Sequence, residues 1–304
     1  MKKRGRSKTV ENVLNNLLRF GLSLDPDAAR ADDAVRLAAA AEEAGLDYLA
    51  VQDHPYQAGH LDSWTWLTHL AARTSRIGLL TDVADLQLRP PAMLAKAALT
   101  FSRLHHGRLA LGVGGGAFPD GIAAMGGTRR SNSDMVAYTE EAFQVLRPAL
   151  AGDFVRLHGA HHRIEGYQAG PAPAGPVPVW LGAQGPKMLA VTGGYADGWI
   201  SPLNIYVKPD EVPAKQKIID EAARAAGRDP AAISRIYNVI GWIGSDRRAP
   251  GLSGDVEQWV DTLADWSTRL GFDTFIFWPV AQPQAQLELF AGEVVPALRK
   301  RVSR

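Results

Sequence analysis

The sequence contains no cysteine among its 304 residues. That absence excludes disulfide bonds, thiolate metal sites and a cysteine nucleophile, and it fits a cytoplasmic protein. Long apolar runs are absent too, so we expect no membrane-spanning helix. Neither sign of charge is in excess, because the net charge is only +1. A nearly neutral chain has no general electrostatic attraction for nucleic acid or for a membrane surface.

The chain opens with a basic stretch, Met1 to Lys8, but no apolar signal-peptide core follows it. We predict that residues 1–18 form a flexible extension and that residues 19–304 form a single domain. The composition supports one substantial core, since 46% of the residues are hydrophobic and 21% are charged.

Short apolar or alternating segments are followed by helical patterns along the whole chain. Strands alternating with helices indicate right-handed βαβ units and a parallel sheet. About eight such units fit into this length, which predicts a (β/α)8 TIM barrel, with a doubly wound sheet as the main alternative. Residues 154–168 alternate around two glycines as a small hairpin does, and a Pro-rich stretch follows. We interpret this segment as an insertion before the fifth strand.

The stretch from Pro178 to Ile200 predicts a strand, a small-residue turn and a helix. Pro186 fits the first position of that helix, where its missing N–H costs nothing. A glycine turn at a helix N-terminus presents free backbone N–H groups and a partial positive charge. The stretch is therefore either an anion site, most often one for phosphate, or an ordinary tight turn.

In a TIM barrel the active site lies at the carboxyl ends of the strands. This rule selects His54, which directly follows the second strand and titrates near neutrality, although a structural Asp53–His54 loop pair is the alternative. It also selects Asp82 to Asp85, Trp278 and Gly112 to Gly116. Together with Ala117, this glycine run fits the dinucleotide fingerprint G-x-G-x-x-A. We expect no helix at Phe118–Gly121, and the motif lies on the fourth strand, so a Rossmann site is disfavoured. The glycines then serve either close backbone approach to a flat ligand or a flexible hinge.

Three histidines, His158, His161 and His162, lie close together on the predicted hairpin. Zinc sites need three or four convergent ligands, and Glu165 is the one carboxylate at ligand spacing. We therefore predict no metal site. The pair Arg129–Arg130 precedes a helix cap and is either a phosphate contact or a solvated basic pair.

Several motifs occur in an order that resembles the bacterial luciferase-like superfamily. The resemblance covers residues 19–300 and rests on the ordered set rather than on any single motif. The motifs are Phe20-Gly-Leu-Ser-Leu, Glu43-Ala-Gly-Leu-Asp-Tyr-Leu-Ala-Val-Gln-Asp-His54, Leu70-Ala-Ala-Arg-Thr-Ser-Arg-Ile-Gly78, Arg89-Pro-Pro-Ala, Gly107-Arg-Leu-Ala-Leu-Gly-Val-Gly114 and Pro178-Val-Trp-Leu-Gly with Ala-Asp-Gly-Trp199. Members of this superfamily are TIM barrels that bind reduced FMN or the deazaflavin F420.

The resemblance also implies where a cofactor lies. Its phosphate is expected at the glycine turn already described, at Gly182, Ala183, Gln184, Gly185 and Pro186. Both the resemblance and the helix N-terminus thus point to the same turn.

Further positions follow from the same resemblance. Many members carry a non-prolyl cis peptide bond behind the flavin ring at the end of the third strand, and we expect it here between Asp82 and Val83. Gly114 and Gly115 are expected near the ring or its tail. His54 matches the active-site histidine of several F420-dependent members.

The sequence departs from one branch of the family at two positions. F420-dependent sugar-phosphate dehydrogenases have a Trp a few residues after the active-site His. They also have an acid after the turn that corresponds to Gly114–Gly116. Those positions correspond to Ala58 and Ala117 here. We therefore expect that sugar phosphates are not substrates, while the choice between FMN and F420 stays open.

Our main functional expectation is an FMNH2-dependent monooxygenase of a small organic substrate. A separate flavin reductase is expected to supply the FMNH2. The alternative is an F420-dependent reductase or dehydrogenase that transfers hydride, with His54 as proton donor or base. A non-catalytic flavin-binding protein is a third hypothesis. A barrel without flavin, such as an aldolase or hydrolase, is disfavoured because no Schiff-base Lys or facing carboxylate pair lies at the strand ends. The resemblance also implies a homodimer.

Overall fold

The structure is a computed structural model that describes residues 18–302. The strands in this range are β1 (Arg19–Leu24), β2 (Tyr48–Val51), β3 (Gly78–Thr81), β4 (Ala84–Asp85), β5 (Leu109–Gly114), β6 (Phe154–His158), β7 (Arg163–Gln168), β8 (Val179–Gly182), β9 (Gly198–Ser201), β10 (Ser234–Ile243), β11 (Leu252–Gly254) and β12 (Thr274–Pro279). The α-helices are Ala31–Glu43, Ser63–Ala71, Pro91–Leu104, Pro119–Ala124, Asn132–Ala151, Pro186–Tyr195, Val212–Ala225, Val256–Thr268, Pro283–Leu289 and Val295–Val302.

Eight parallel strands close into a barrel in the order β1, β2, β3, β5, β8, β9, β10 and β12. Closure is set by the pairing of the first strand with the last, from Arg19 opposite Thr274 to Leu22 opposite Phe277. The predicted TIM barrel is confirmed. The doubly wound alternative is wrong, because an open sheet leaves its outer strands unpaired.

The predicted hairpin consists of β6 and β7, which pair antiparallel in a sheet of their own before β8, the fifth barrel strand. Glu141, on the helix Asn132–Ala151, fixes the hairpin turn. Its carboxylate accepts hydrogen bonds from the backbone N–H groups of Ala160, His161 and His162 at 2.8–2.9 Å. The insertion is therefore fastened to the outside of the barrel.

Several short helices and strands differ from those expected from the sequence. A six-residue helix begins at Pro119, so the expectation of no helix at Phe118–Gly121 is wrong. The two short strands β4 and β11 were not expected either. Such pieces are too brief for a periodic apolar pattern to mark them. The predicted extension lies outside the described residues except for Leu18, which is buried in the core.

Apolar side chains form two layers. One lies inside the barrel and contains Tyr48, Leu80, Trp180, Ile236 and Ile276. The other fills the space between the barrel and its helices. Inward-facing and outward-facing residues alternate along each strand, so both layers come from the same apolar segments.

Glu42, at the end of the helix Ala31–Glu43, ties this helix to the segment that leads into β3. Its carboxylate accepts hydrogen bonds from the backbone N–H groups of Ser75, Arg76 and Ile77 at 2.7–3.0 Å, and one from the Ser75 hydroxyl. Burial alone would raise the pKa of Glu42, but these hydrogen bonds outweigh it and lower the pKa to about 2. The ionised carboxylate is thus favoured in the folded protein.

We expect Glu42→Gln to lower the free energy of unfolding at pH 7 by roughly 1.5–3 kcal/mol, because hydrogen bonds to a charged group are lost. A carboxyl whose pKa is depressed on folding stabilises the protein above its unfolded pKa of 4.5, and this contribution disappears as pH falls toward about 2. The difference between variant and wild type should therefore shrink with acidification. Urea unfolding at several pH values measures it. Glu43→Gln, at the exposed neighbouring position, is the matched control, and an equal loss in both variants would contradict the assignment.

Candidate active site

The carboxyl ends of the barrel strands surround a cavity of about 770 Å³. That volume lies in the range that holds cofactors and drug-sized ligands. The cavity is lined by all the site residues predicted from the sequence, namely His54, Asp82, Val83, Gly114, Gly115, Gly182, Ala183, Gln184, Gly185 and Pro186. The fold thus brings these residues together from the ends of four strands, while their roles stay predictions.

The glycine turn after β8 has the form expected of an anion site. Pro186 is the first residue of the helix, and Gly185 caps it without a side-chain hydrogen bond. Lys215 donates to the carbonyl oxygen of Gln184 at 3.1 Å, and the Gln184 amide donates to the carbonyl oxygen of Tyr206 at 3.2 Å. These two hydrogen bonds fix the turn, and its residues line the cavity at the positive end of the helix dipole.

Open space lies in front of this turn. A Cβ atom built on Gly185 would have no heavy atom within 4 Å. Lys187, one residue into the helix, lines the same cavity and adds a positive charge. A phosphate-bearing cofactor thus fits the turn sterically and electrostatically.

The peptide bond between Asp82 and Val83 is cis, as the resemblance implied. The Val83 side chain lies against glycines of the neighbouring strands. A Cβ on Gly114 would lie 2.7 Å from Val83 Cγ2, and one on Gly182 would lie 3.2 Å from it. Gly114 therefore makes room for the side chain of Val83. The close approach to a flat ligand that we inferred from the sequence stays a prediction.

His54 lies half-buried at the rim of the cavity. Its Nδ1 atom is 2.6 Å from the hydroxyl oxygen of Tyr56, which leaves Nε2 for another partner. Burial lowers the pKa of His54, and nearby His60 lowers it further, while Asp53 opposes the change. Burial also raises the pKa of Tyr56 to about 12, so that residue keeps its proton. Near neutral pH the site thus holds an uncharged imidazole beside a phenol.

In the loop-pair alternative, Asp53 would hold the backbone of His54. The hydrogen bonds of Asp53 go to other residues instead. Its buried carboxylate accepts two hydrogen bonds from Arg89, at 2.7 and 2.8 Å. It also accepts the Ser63 hydroxyl at 2.8 Å and the Asp85 backbone N–H at 3.0 Å. Asp53 is therefore a structural anchor adjacent to His54.

Arg89 extends this anchor across a loop. Besides Asp53, it contacts Asp62 at 2.6 Å, and Asp62 caps the helix Ser63–Ala71. One guanidinium group thus joins the residue before the loop 54–61 to the residue after it. We call this arrangement of Arg89, Asp53 and Asp62 the loop clip.

Sequence reasoning missed several cavity residues. Asn238 lies in the middle of the ten-residue strand β10, where no turn or glycine marks it. Met135 and Met188 reach the cavity from helices, and nothing in their local sequence distinguishes them from core methionines. Asp85 and Trp278 line the cavity as well, and the strand-end rule does select both.

The predicted hairpin histidines have other partners. His158 lies 3.3 Å from a carboxylate oxygen of Glu165, and Nε2 of His162 lies 3.2 Å from the carbonyl oxygen of Tyr138. In residues 18–302 no group of three or more His, Asp or Glu side chains is placed to hold a metal ion. Arg130 donates to the Gln87 amide oxygen at 2.8 Å, and that amide donates to the carbonyl of Gly115 at 2.6 Å. Arg130 therefore supports the backbone at Gly115 through the side chain of Gln87.

Comparison with known proteins identifies the family. The family profile described as luciferase-like monooxygenase matches residues 16–249. The chain belongs to this luciferase-like family. An F420-dependent glucose-6-phosphate dehydrogenase of Mycolicibacterium smegmatis is 32% identical over 231 residues, which cover 73% of this chain and 68% of the relative. The resemblance inferred from the ordered motifs is confirmed.

Solved structures show the same fold. An F420-dependent secondary alcohol dehydrogenase, in complex with an F420–acetone adduct, superposes with a TM-score of 0.82 over 92% of this chain and 99% of that one, at 19% identity. A monooxygenase from Streptomyces bottropensis superposes with a TM-score of 0.74 over the same shares, at 20% identity. At these identities the likeness concerns the barrel alone.

This luciferase-like protein is an oxidoreductase, as predicted, and a flavin or F420 is confirmed as its class of cofactor. No helix in residues 18–302 has both the length and the apolarity needed to cross a membrane. The single domain, the homodimer, the flavin reductase and the cytoplasmic location stay predictions.

Proposed function

We propose that this luciferase-like enzyme transfers hydride between F420 and a small, largely apolar organic substrate. The curated relative of 32% identity is F420-dependent, which supports our alternative expectation over the FMNH2-dependent monooxygenase. The observation that carries the proposal is the uncharged His54 at the cavity rim, with Nδ1 bound to Tyr56 and Nε2 available. Hydride transfer to or from a carbon that bears oxygen needs such a proton-transfer group.

The protein binds and orients the cofactor and the substrate, and it moves a proton. The turn 182–186 would hold the cofactor phosphate, and the Val83 side chain would support the ring. F420, when bound, supplies or accepts the hydride. In the oxidation of an alcohol, the carbon-bound hydrogen leaves as hydride and Nε2 of His54 takes the hydroxyl proton. Carbonyl reduction runs these steps in reverse.

The substrate class follows from the cavity wall. Beyond the glycine turns it is lined by apolar side chains such as Met135, Val136 and Leu203. Among the described lining residues, Lys187 alone carries a permanent positive charge, and it lies beside the turn proposed for the cofactor phosphate. A phosphorylated substrate would lack a second cation, in agreement with Ala58 and Ala117 at the positions that depart from the sugar-phosphate branch. We therefore propose an uncharged alcohol, carbonyl or activated alkene.

A monooxygenase using FMNH2 from a separate flavin reductase is the second candidate. The family description and the neighbour from Streptomyces bottropensis favour it. A flavin-binding protein without catalysis is disfavoured, since the proteins compared are enzymes.

We expect F420 to bind more tightly than FMN or FMNH2 when the purified protein is titrated and cofactor fluorescence is followed. Secondary alcohols should then reduce F420, while glucose 6-phosphate should not. A preference for FMNH2 with faster oxygen uptake would support the second candidate instead. If neither cofactor binds at about 100 μM, a concentration that detects affinities of ordinary cofactor strength, the site assignment fails.

A further inference from the structure

Three residues that line the cavity each have a buried side-chain atom without a hydrogen-bond partner. These atoms are Oδ2 of Asp82, Oδ1 of Asn238 and Nε1 of Trp278. The residues Asp82 and Asn238 are more than nine-tenths buried, at 8% and 5% exposure. An orphaned buried polar atom costs about 1–3 kcal/mol, so three in one wall point to a bound partner.

The three side chains come from β10, from β12 and from the residue that follows β3. The Asn238 amide crosses from β10 to donate a hydrogen bond of 3.1 Å to Oδ1 of Asp82, which follows β3. Trp278 stands on β12, which pairs with β10, and it packs against the apolar layer inside the barrel. Asn238 therefore contacts Asp82 directly and lies on the strand next to that of Trp278. We call these three cavity-lining side chains the polar floor.

The hydrogen-bonding pattern of this floor defines what it recognises. Trp278 offers a donor and the Asn238 oxygen offers an acceptor. Asp82 offers a donor when protonated. A ligand edge that alternates acceptor, donor and acceptor satisfies all three. The carbonyl–imide–carbonyl edge of a pyrimidinedione ring, which flavins and deazaflavins share, has this pattern.

We propose that Asp82, Asn238 and Trp278 recognise the carbonyl–imide–carbonyl edge of the cofactor ring, with Asp82 bound as the neutral acid. The inference rests on the proposed cofactor and adds a ring-binding site to the phosphate turn. It also gives the Asp82 side chain a role of its own, separate from the cis peptide bond that follows it.

The protonation state of Asp82 supports this pairing. Burial raises its pKa to about 6, although the Asn238 amide opposes the rise. Asn238 and Trp278, the partners from β10 and β12, are uncharged. The titratable or charged side chains that line the same cavity are Asp53, His54, Tyr56, Asp85, Lys187 and Tyr206. Asp53 is paired with Arg89, whereas burial likewise raises the pKa of Asp85 to about 6.

The test is the F420 dissociation constant from pH 5 to 8 for the wild type and for Asp82→Asn. The variant's amide donates as the neutral acid does, so both proteins should bind equally at pH 5. Above pH 6 the wild type should weaken relative to the variant, by up to about tenfold per pH unit. Titration of the ligand itself cancels in the ratio of the two constants.

Two further variants make the test specific. Asp85→Asn should keep the pH-dependent weakening, because Asp85 is outside the floor although its pKa is similar. Trp278→Phe should weaken binding roughly two- to twelvefold at every pH, as expected for one lost hydrogen bond.

The proposal is overturned if the Asp82→Asn ratio is flat with pH, or if Asp85→Asn removes the dependence instead. It is also overturned if Asp82→Asn and Trp278→Phe bind F420 like the wild type and only the substrate KM changes, because the floor would then serve the substrate. In each of these cases F420 still binds, so the proposed function survives. Absence of F420 and FMN binding at every pH would remove both proposals.

Discussion

Turnover of F420-dependent alcohol oxidation should fall by about 10²–10⁴-fold when His54 is replaced with alanine, the usual contribution of general acid–base catalysis. The F420 dissociation constant should not change, because His54 is not part of the phosphate turn proposed to hold the cofactor. The loss should therefore appear in kcat. Steady-state kinetics combined with fluorescence titration of F420 separates the two effects. Unchanged turnover would remove His54 from the mechanism.

The pH profile adds a signature that a structural role would not give. Oxidation needs the neutral imidazole, so kcat at saturating F420 should rise with pH through an apparent pKa below 6.5 and then level off, since burial and His60 lower the pKa of His54. His60→Ala is the matched control. It removes the neighbour whose charge lowers that pKa, so it should move the rise to higher pH and leave the plateau unchanged. A profile that stays in place would show that the titrating group is not His54.

Asp53→Ala should destabilise the protein by up to about 3–5 kcal/mol, the cost of breaking a buried ion pair, because Arg89 would keep an ion pair only with the partly exposed Asp62. The Arg89 side chain is only 18% exposed and would lose its two hydrogen bonds to Asp53. The Asp85 N–H and the Ser63 hydroxyl would lose their acceptor as well. Urea unfolding measures the loss, and activity should fall too, because the loop after His54 is released.

An exposed ion pair supplies the comparison. Asp265 lies in the last turn of the helix Val256–Thr268 and Arg269 caps that helix, and both side chains are about half exposed. Asp265→Asn should leave the unfolding midpoint almost unchanged, because solvent and salt screen exposed pairs. Equal effects of the two substitutions would contradict the anchoring role of Asp53.

Much of the architecture could be predicted, because it depends on local periodicity. The β-branched and apolar run of β10 and the capped helix Val256–Thr268 both have clear patterns. The phosphate turn could be located for the same reason, since a strand, a glycine turn and a helix-starting proline are contiguous in sequence.

The polar floor could not be predicted, because it depends on distance in space. Asp82 and Asn238 are 156 positions apart and meet only when the barrel closes. Likewise, the sequence marks Asp53 as a neighbour of His54, but its actual partner Arg89 lies 36 positions away. Strand-end rules identify which residues face the cavity, and they do not show which of them touch.

The loop clip has a consequence for how the enzyme diversifies. Because Arg89 holds both Asp53 and Asp62, substitutions at exposed positions between them leave the strand before the loop and the helix after it in place. Gln57, Ala58 and Gly59 between them are exposed to solvent. A lineage can therefore vary and lengthen this stretch under selection for new substrates without losing the barrel. The same freedom makes positions 57–59 the natural place for a randomised library in directed evolution.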